Sequence, residues 1–343
     1  MNYRGGMQLR LAHQLWILLG VFFGPLLLAL RAPVGSWGGW SLARLEGLGG
    51  ALGLSAGFLA WSLFWGDLGR KRRDRAGRDR AGMFPWVRGI GYAVLGAASV
   101  GVFYGATGTV IQARGAARND GLVQGWDQAL LGALFPDGQV SLWLDAHSWV
   151  GPGTFVGKAL TELFQVSYFS YYLWGYGLLA LLSVRLVRAS RQKLEWKRVP
   201  HLEQDLLDFL CAWAGAYWVN FVCYIVLPVI GPKFDYPQRF THSVDGFGFA
   251  RMIQDFIASQ QAVMEDCFPS GHTALSWITA IAAWRFAPRY ARVVTPVAFV
   301  ITLATLYLRY HYVADVLAAS MLIGLAVAWG ALRRRSGPNP EIP

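Results

Sequence analysis

The residues best suited to chemistry fall in two short stretches and one outlier. Cys267-Phe268-Pro269-Ser270-Gly271-His272-Thr273 sits where a polar segment, residues 251–266, gives way to an apolar run, residues 274–287. Pro269 followed by Ser270 and Gly271 marks a turn that opens into a helix. Ser270 can cap that helix, and its first free backbone N–H groups then point outward beside the hydroxyl. Orphan donors and the positive end of the helix dipole coincide there, which makes an anion site. His272 adds a group able to give or take a proton near neutral pH. Alone, the stretch reads equally well as an ordinary helix start with an incidental histidine. A second stretch changes that balance. In Arg309-Tyr310-His311-Tyr312-Val313-Ala314-Asp315, a histidine stands beside an arginine with a carboxylate four residues later. On a helix, i and i+4 share a face, so Asp315 can hold one nitrogen of His311 and leave the other free to attack. The outlier, Gly231-Pro232-Lys233, places a further cation just past another apolar run.

Together these groups suit phosphoryl transfer, which needs spread negative charge held in place and a nucleophile in line with the leaving oxygen. Lys233, Arg309, Arg239 and the Ser270–Gly271 turn can hold the non-bridging oxygens. His311, oriented by Asp315, would attack and become a phosphohistidine. His272 would protonate the leaving group and later deprotonate the incoming hydroxyl. The spacing of Cys, His, Asp and Glu along the chain presents no metal-ligand set, so cations take the place of a metal and no cofactor is expected.

These residues resemble the type-2 phosphatidic acid phosphatase superfamily, whose members share three short signatures. The second, Pro-Ser-Gly-His, is matched completely by Pro269, Ser270, Gly271 and His272. The third is an arginine, a histidine and an aspartate four residues after it, matched by Arg309, His311 and Asp315. Its usual arginine stands six residues before the histidine, where this chain has Thr305. On an ideal helix Arg309 would supply that cation from about one-ninth of a turn away. The first signature is looser: Lys233 and Arg239 have five residues between them, and Phe240 follows where proline is usual. Both departures resemble the inositolphosphotransferase-like branch, related to inositol phosphorylceramide synthases, with its Gly-Pro-Arg/Lys element and His-Tyr-x-x-Asp signature. The motifs span residues 206–331, and the wider similarity begins near residue 86. The resemblance implies that His311 is the nucleophile, His272 the acid and base, and a lipid phosphate or phospholipid the substrate. With water as acceptor the reaction is a phosphatase's; with an alcohol it is head-group transfer.

The elements that must position these groups are read from hydropathy. Of 343 residues, 55% are hydrophobic and 15% charged, too apolar for an ordinary soluble domain. Sixteen tryptophans and fourteen tyrosines suit aromatic belts at membrane interfaces. Eight apolar runs are long enough, or nearly so, to span a bilayer: 13–30, 48–65, 86–110, 166–184, 206–229, 271–287, 293–309 and 312–331. The expected fold is therefore all-α, a polytopic bundle of about eight transmembrane helices with a six-helix catalytic core. Residues 1–85 form an N-terminal pair with a basic loop, 86–332 the catalytic membrane domain, and 333–343 a tail. Gly49, Gly50, Gly53, Gly57, Gly89, Gly91 and Gly96 suit close helix packing in lipid.

The net charge of +11 invites a nucleic-acid reading, but the arginines cluster between apolar runs. The run Lys71-Arg72-Arg73-Asp74-Arg75 reads as a cytoplasmic loop touching anionic lipid heads, and no nucleic-acid partner is expected. Counted by side, 22 of the 31 lysines and arginines fall with the termini, which makes that side cytoplasmic. Lys233, the Ser270–His272 turn and Arg309–Asp315 all fall on the opposite face of the cell membrane. Residues 111–165 form a long outer segment in which Trp126, Leu130, Leu131, Leu134 and Phe135 recur at helical spacing. That pattern reads as an interfacial helix ended by Pro136-Asp137-Gly138. Asp127 and His147 within it read as structural. Cys211, Cys223 and Cys267 form no spaced framework. Cys211 and Cys223 read as packing residues, and Cys267 lies near the site. A non-catalytic lipid transporter, relaying protons through intramembrane His and Asp, is the competing class. Against it, the charged groups gather at one face instead of lining a path.

Overall fold

The computed structural model describes residues 85–115, 117–147, 150–192, 198–261 and 263–335. The expected runs 13–30 and 48–65, the glycines at 49–57 and the basic loop lie outside these residues. The described chain is all-α, a membrane helix bundle with no strand. Its helices are α1 (Pro85–Arg114), α2 (Asp120–Leu131), α3 (Val140–Ala146), α4 (Phe155–Arg191), α5 (Val199–Val226), a single turn α6 (Pro232–Asp235), α7 (Phe249–Gln260), α8 (Gly271–Phe286), α9 (Pro288–Tyr307) and α10 (Val313–Arg335). Each expected apolar run from residue 86 onward falls largely on a helix, although the run 206–229 outlasts α5 and the run 293–309 outlasts α9. Among the described residues, four segments are long and apolar enough to cross a membrane: Trp86–Gln112, Val199–Val226, Pro288–Tyr307 and Val313–Gly330. Helix α8, with 16 residues, is shorter than the ~20 a full crossing takes. Helix α4 is far longer, with 37 residues, but its middle is rich in tyrosine and serine.

The chain divides into two compact units. In the first, α1 packs with residues 176–219. Phe103, Leu178, Leu182, Leu186, Leu206, Leu210, Trp213 and Trp218 fill its core. Small residues let the helices approach: a Cβ on Gly89 would lie 2.8 Å from the Leu186 side chain, and one on Gly96 would lie 2.5 Å from Leu210. Arg88 forms a two-pronged ion pair with Glu203, both bonds 2.6 Å. Trp218 Nε1 donates to Ser99 Oγ at 3.1 Å, so the indole's polar edge is satisfied inside the unit.

The second unit contains residues 115–175 and 220 onward, and with them every candidate site residue. Helices α8 and α9 form a hairpin around Ala280, Val294 and Ala298, with Trp277 Nε1 donating to Thr302 Oγ1 at 3.1 Å. The small alanines at that seam allow close approach, and α10 packs on the other side of α8. Helix α2 buries Asp120, Val123 and Asp127, spaced as one helical stripe, while Trp126, Leu130 and Leu134 stand exposed. The expected helix end at Pro136-Asp137-Gly138 is corrected: α2 already stops at Leu131, and Pro136–Gly138 forms a separate single turn in which Asp137 and Gly138 take left-handed φ of 51° and 69°. The polar segment 251–266 carries the amphipathic helix α7, whose Ala250, Ile253 and Gln254 face inward while Phe249, Met252 and Phe256 are exposed. The helix carrying Arg309 and His311 does not exist: α9 ends at Tyr307 and α10 starts at Val313.

Candidate active site

The loop between α9 and α10 is shaped by a left-handed Arg309, φ 65°. That reversal folds residues 310 and 311 back, so that both the Tyr310 and His311 N–H groups donate to the Thr305 carbonyl at 3.0 and 3.1 Å. Thr305 itself is wholly buried and its hydroxyl donates to the Thr302 carbonyl. A helical offset from Thr305 is therefore not what places Arg309.

His311 and Asp315 meet even though they share no helix. Asp315 occupies the third position of α10, and its Oδ2 reaches back to accept from the Tyr312 N–H at 2.9 Å, one half of a capping box. The same oxygen lies 3.3 Å from His311 Nδ1. With its proton on Nδ1, His311 donates to Asp315, and Nε2 keeps its lone pair. Two further N–H groups of the first turn, Val313 and Ala314, donate to the Asp127 carboxylate at 3.0 and 2.7 Å. Asp127 is thus a cap supplied from α2, in keeping with its structural reading. Its burial pushes its own carboxyl up to about 6, in part because Asp315 lies nearby. His147 is likewise engaged locally, with Nδ1 2.8 Å from the Trp143 carbonyl.

The second stretch docks onto the first. Ser270 N donates to the Asp315 backbone carbonyl at 3.0 Å, and Ser270 Oγ caps α8 by accepting from Thr273 N. Gly271 lies close against α5: a Cβ there would stand 2.5 Å from Asn220 Nδ2 and 3.0 Å from the Tyr224 hydroxyl, and those side chains would have to give way. His272 is clamped between Tyr168, stacked at 3.9 Å, and Tyr171 at 4.0 Å, and its ring centre lies 6.2 Å from that of His311. Its Nε2 is shut off from solvent and has no hydrogen-bond partner among the described residues.

The cations divide into two kinds. Lys233 Nζ donates to Gln254 Oε1 on α7 at 2.6 Å and lies 4.7 Å over the Tyr310 ring, while its backbone N–H donates to the Arg309 carbonyl. Burial lowers its ammonium to about 8, well under the ordinary lysine value, despite the pull of Asp245. Arg309 is buried, with Nη2 donating to Asp145 Oδ1 at 2.7 Å and its guanidinium 3.9 Å above the Phe240 ring. Arg239 lies at the surface, paired with Asp137 and resting on the Tyr236 ring. Lys233 is thus bonded to Arg309, and Ser270 to Asp315, which holds His311; Gly271 and His272 follow Ser270 on α8, with the His272 ring centre 6.2 Å from that of His311, and Arg239 is tied to the α2–α3 turn instead.

Two participants, Asp145 and Asp120, carried no signal in the sequence. Asp145, on α3, receives Arg309, Thr241 N and Thr241 Oγ1. Asp120 holds the Ile230 and Gly231 N–H groups with its carboxylate, fixing the turn before Lys233. Gly231 has φ 82°, and a Cβ there would be 3.0 Å from Cys267 Sγ and closer still to the Tyr310 carbonyl. Cys267 Sγ lies 2.8 Å from Asp315 Oδ2 and 3.3 Å from His311 Nδ1. Burial and the neighbouring Asp315 carboxylate hold its thiol well above the usual range, so S–H donates to that carboxylate. Spacing presented no ligand set, yet folding brings Cys267, His311 and Asp315 within 4.8 Å of one another.

Comparison with known proteins finds likeness over part of the chain. The family model for the PAP2 superfamily matches residues 205–338, which hold all the candidate site residues. A PA-phosphatase related-family protein of Dictyostelium discoideum is 34% identical over 224 residues, 63% of this chain. The chain spans 41% of that relative's length. No solved structure matches.

Proposed function

We propose that this chain is an integral membrane enzyme that removes the phosphoryl group of a phosphorylated lipid through a phosphohistidine on His311. The observation that carries the reading is the His311–Asp315 pair, bonded at Nδ1, beside His272 at 6.2 Å. The lone pair on His311 Nε2 attacks phosphorus, the bond to the lipid alkoxide breaks, and His272 gives the leaving oxygen its proton. Asp315 stabilises the positive charge that grows on His311 and fixes its tautomer. In the second step His272 takes a proton from water, the oxygen attacks the phosphohistidine, and the P–N bond breaks. Lys233, Arg309 and the α8 N-terminus, opened by Ser270 and Gly271, balance charge on the phosphoryl oxygens. Arg239 serves, in this reading, as an outer cation that meets the phosphate on entry. The site opens on the non-cytoplasmic face, opposite the basic loops.

The test is chemical. Purified protein is incubated with a panel of lipid phosphates and phospholipids, alone and with lipid alcohols, and free phosphate and new lipids are measured. Rapid quenching should trap an acid-labile, base-stable phosphate on the wild type. His311→Ala should lose both label and turnover for every substrate. His272→Ala should lose most with an alkyl leaving group and least with an activated aryl phosphate, a difference of ~10²–10⁴-fold. Label that survives in His311→Ala and vanishes in His272→Ala would reverse the two roles. New lipid in place of free phosphate would make the enzyme a head-group transferase, the activity suggested by likeness to the inositol phosphorylceramide synthase branch.

A further inference from the structure

The side of His311 that faces away from attack is built like a metal site. Cys267 Sγ, His311 Nδ1 and Asp315 Oδ2 form a triangle with edges of 2.8, 3.3 and 3.3 Å. Thiolate, imidazole and carboxylate bound to a tetrahedral zinc ion stand about 3.4–3.6 Å apart, given ordinary zinc bond lengths. The edges to His311 already lie within a few tenths of an ångström of that spacing, and only the Cys267–Asp315 edge must open noticeably. Cys267 and His311 are nearly buried and Asp315 is wholly so. A second observation points the same way. Asp315 Oδ2 is approached by Tyr312 N, His311 and Cys267, while its buried Oδ1 has no hydrogen-bond partner among the described residues. Two of the groups crowding that carboxylate exchange a proton for a metal bond without moving far.

We propose that Cys267, His311 and Asp315 bind a soft divalent cation, of the zinc or cadmium class, and that its binding silences the site. The chemistry balances simply. Cys267 gives up its thiol proton to solvent and bonds the cation as thiolate; His311 offers the Nδ1 lone pair; Asp315 offers a carboxylate oxygen. For Nδ1 to coordinate, the imidazole proton must sit on Nε2. That is the reverse of the tautomer the proposed reaction needs, so the nucleophilic lone pair is removed without any loss of the histidine. Three protein ligands leave a fourth position for water. A hard cation such as magnesium prefers all-oxygen ligands and should neither bind here nor compete. The silencing rests on the phosphohistidine reading; the metal site does not.

The experiment separates the two. In a Cys211→Ala/Cys223→Ala background, detergent-purified protein is titrated with cadmium and the thiolate-to-cadmium absorption is followed. One equivalent should saturate the band. Cys267→Ser should abolish it, and Asp315→Asn should weaken the affinity about tenfold or more. His272→Ala, outside the triangle, should bind as the parent does even if turnover is gone. In parallel, zinc should inhibit phosphate release, and Cys267→Ser should need at least about tenfold more zinc for half-inhibition. Unchanged elution on size exclusion keeps misfolding apart from lost binding. A cadmium band that persists in Cys267→Ser, or no band in the parent, overturns the site. A normal band with zinc-insensitive turnover overturns the silencing step and, with it, the tautomer argument for His311.

Discussion

Burial bears on two cations at the site, Lys233 and Arg309, and each gives a prediction. Lys233 is buried and its ammonium is lowered to about 8. Below that pH it is charged and can hold a phosphoryl oxygen; above it the site loses one cation. KM for a phosphorylated substrate should therefore climb above pH 8, by up to about tenfold per unit, while Lys233→Arg should hold KM flat over the same range. Stability should move the other way. Because burial penalises the ammonium only in the folded state, the protein gains stability as pH rises from about 8 toward the unfolded value. A KM profile that is identical in Lys233→Arg would remove Lys233 from phosphate binding. Arg309 poses a different problem, since its pairing with buried Asp145 makes it structural as well as electrostatic. Arg309→Ala should cost about 3 kcal/mol, the lower end for a broken buried pair, because Thr241 still donates to Asp145. Asp145→Asn in that background should restore much of the stability, read as the thermal midpoint, without restoring turnover. Recovery of turnover together with stability would show that Arg309 only props the loop.

At the scale of elements, the site depends on how closely helix ends approach one another. The α8 N-terminus comes so near α5's last turns that a Cβ at 271 would meet Asn220 Nδ2 at 2.5 Å, and the Asn220 side chain would have to move. Gly271→Ala should destabilise by about 1–3 kcal/mol, as overpacking does. Shortening the obstructing side chain, in Gly271→Ala/Asn220→Ala, should recover part of that loss in a thermal melt. If Gly271→Ala alone melts like wild type, the close approach is not what demands glycine. The α10 N-terminus obeys a related logic. Its first-turn donors are shared among Asp127 from α2 and Asp315 from its own third position, so the carboxylate proposed to orient His311 also serves as a cap. That double use explains why His311 needs no helix of its own to meet Asp315.

For the whole molecule, the four membrane-length helices and the separation of charge make a multi-pass membrane protein with a proposed orientation. The exposed Phe247 lies in the loop between the Lys233 turn and α7. A cysteine at Phe247 should label with a membrane-impermeant thiol reagent in intact cells, whereas one at Arg75, in the basic loop, should label only after permeabilisation. The reverse pattern would invert the topology and move the site to the cytoplasmic face.

Sequence alone determined the helical, membrane-spanning class, because length and apolar run are set by composition before any packing occurs. It also marked Ser270, His272, His311 and Asp315 as candidates, and the fold does bond Ser270 to Asp315 and Asp315 to His311. It misjudged how His311 and Asp315 meet, reading a helix where a left-handed Arg309 breaks one. A positive φ at a residue other than glycine has no reliable mark in sequence; it is imposed by the carbonyl of Thr305 and the pairing with Asp145. Only tertiary structure joined Asp145 to Arg309, Gln254 to Lys233 and Cys267 to the His311–Asp315 pair. Those partners stand 164, 21 and 44 residues apart, and no periodicity relates them. What brings them together is the burial of polar groups that must find each other once the apolar faces around them have closed.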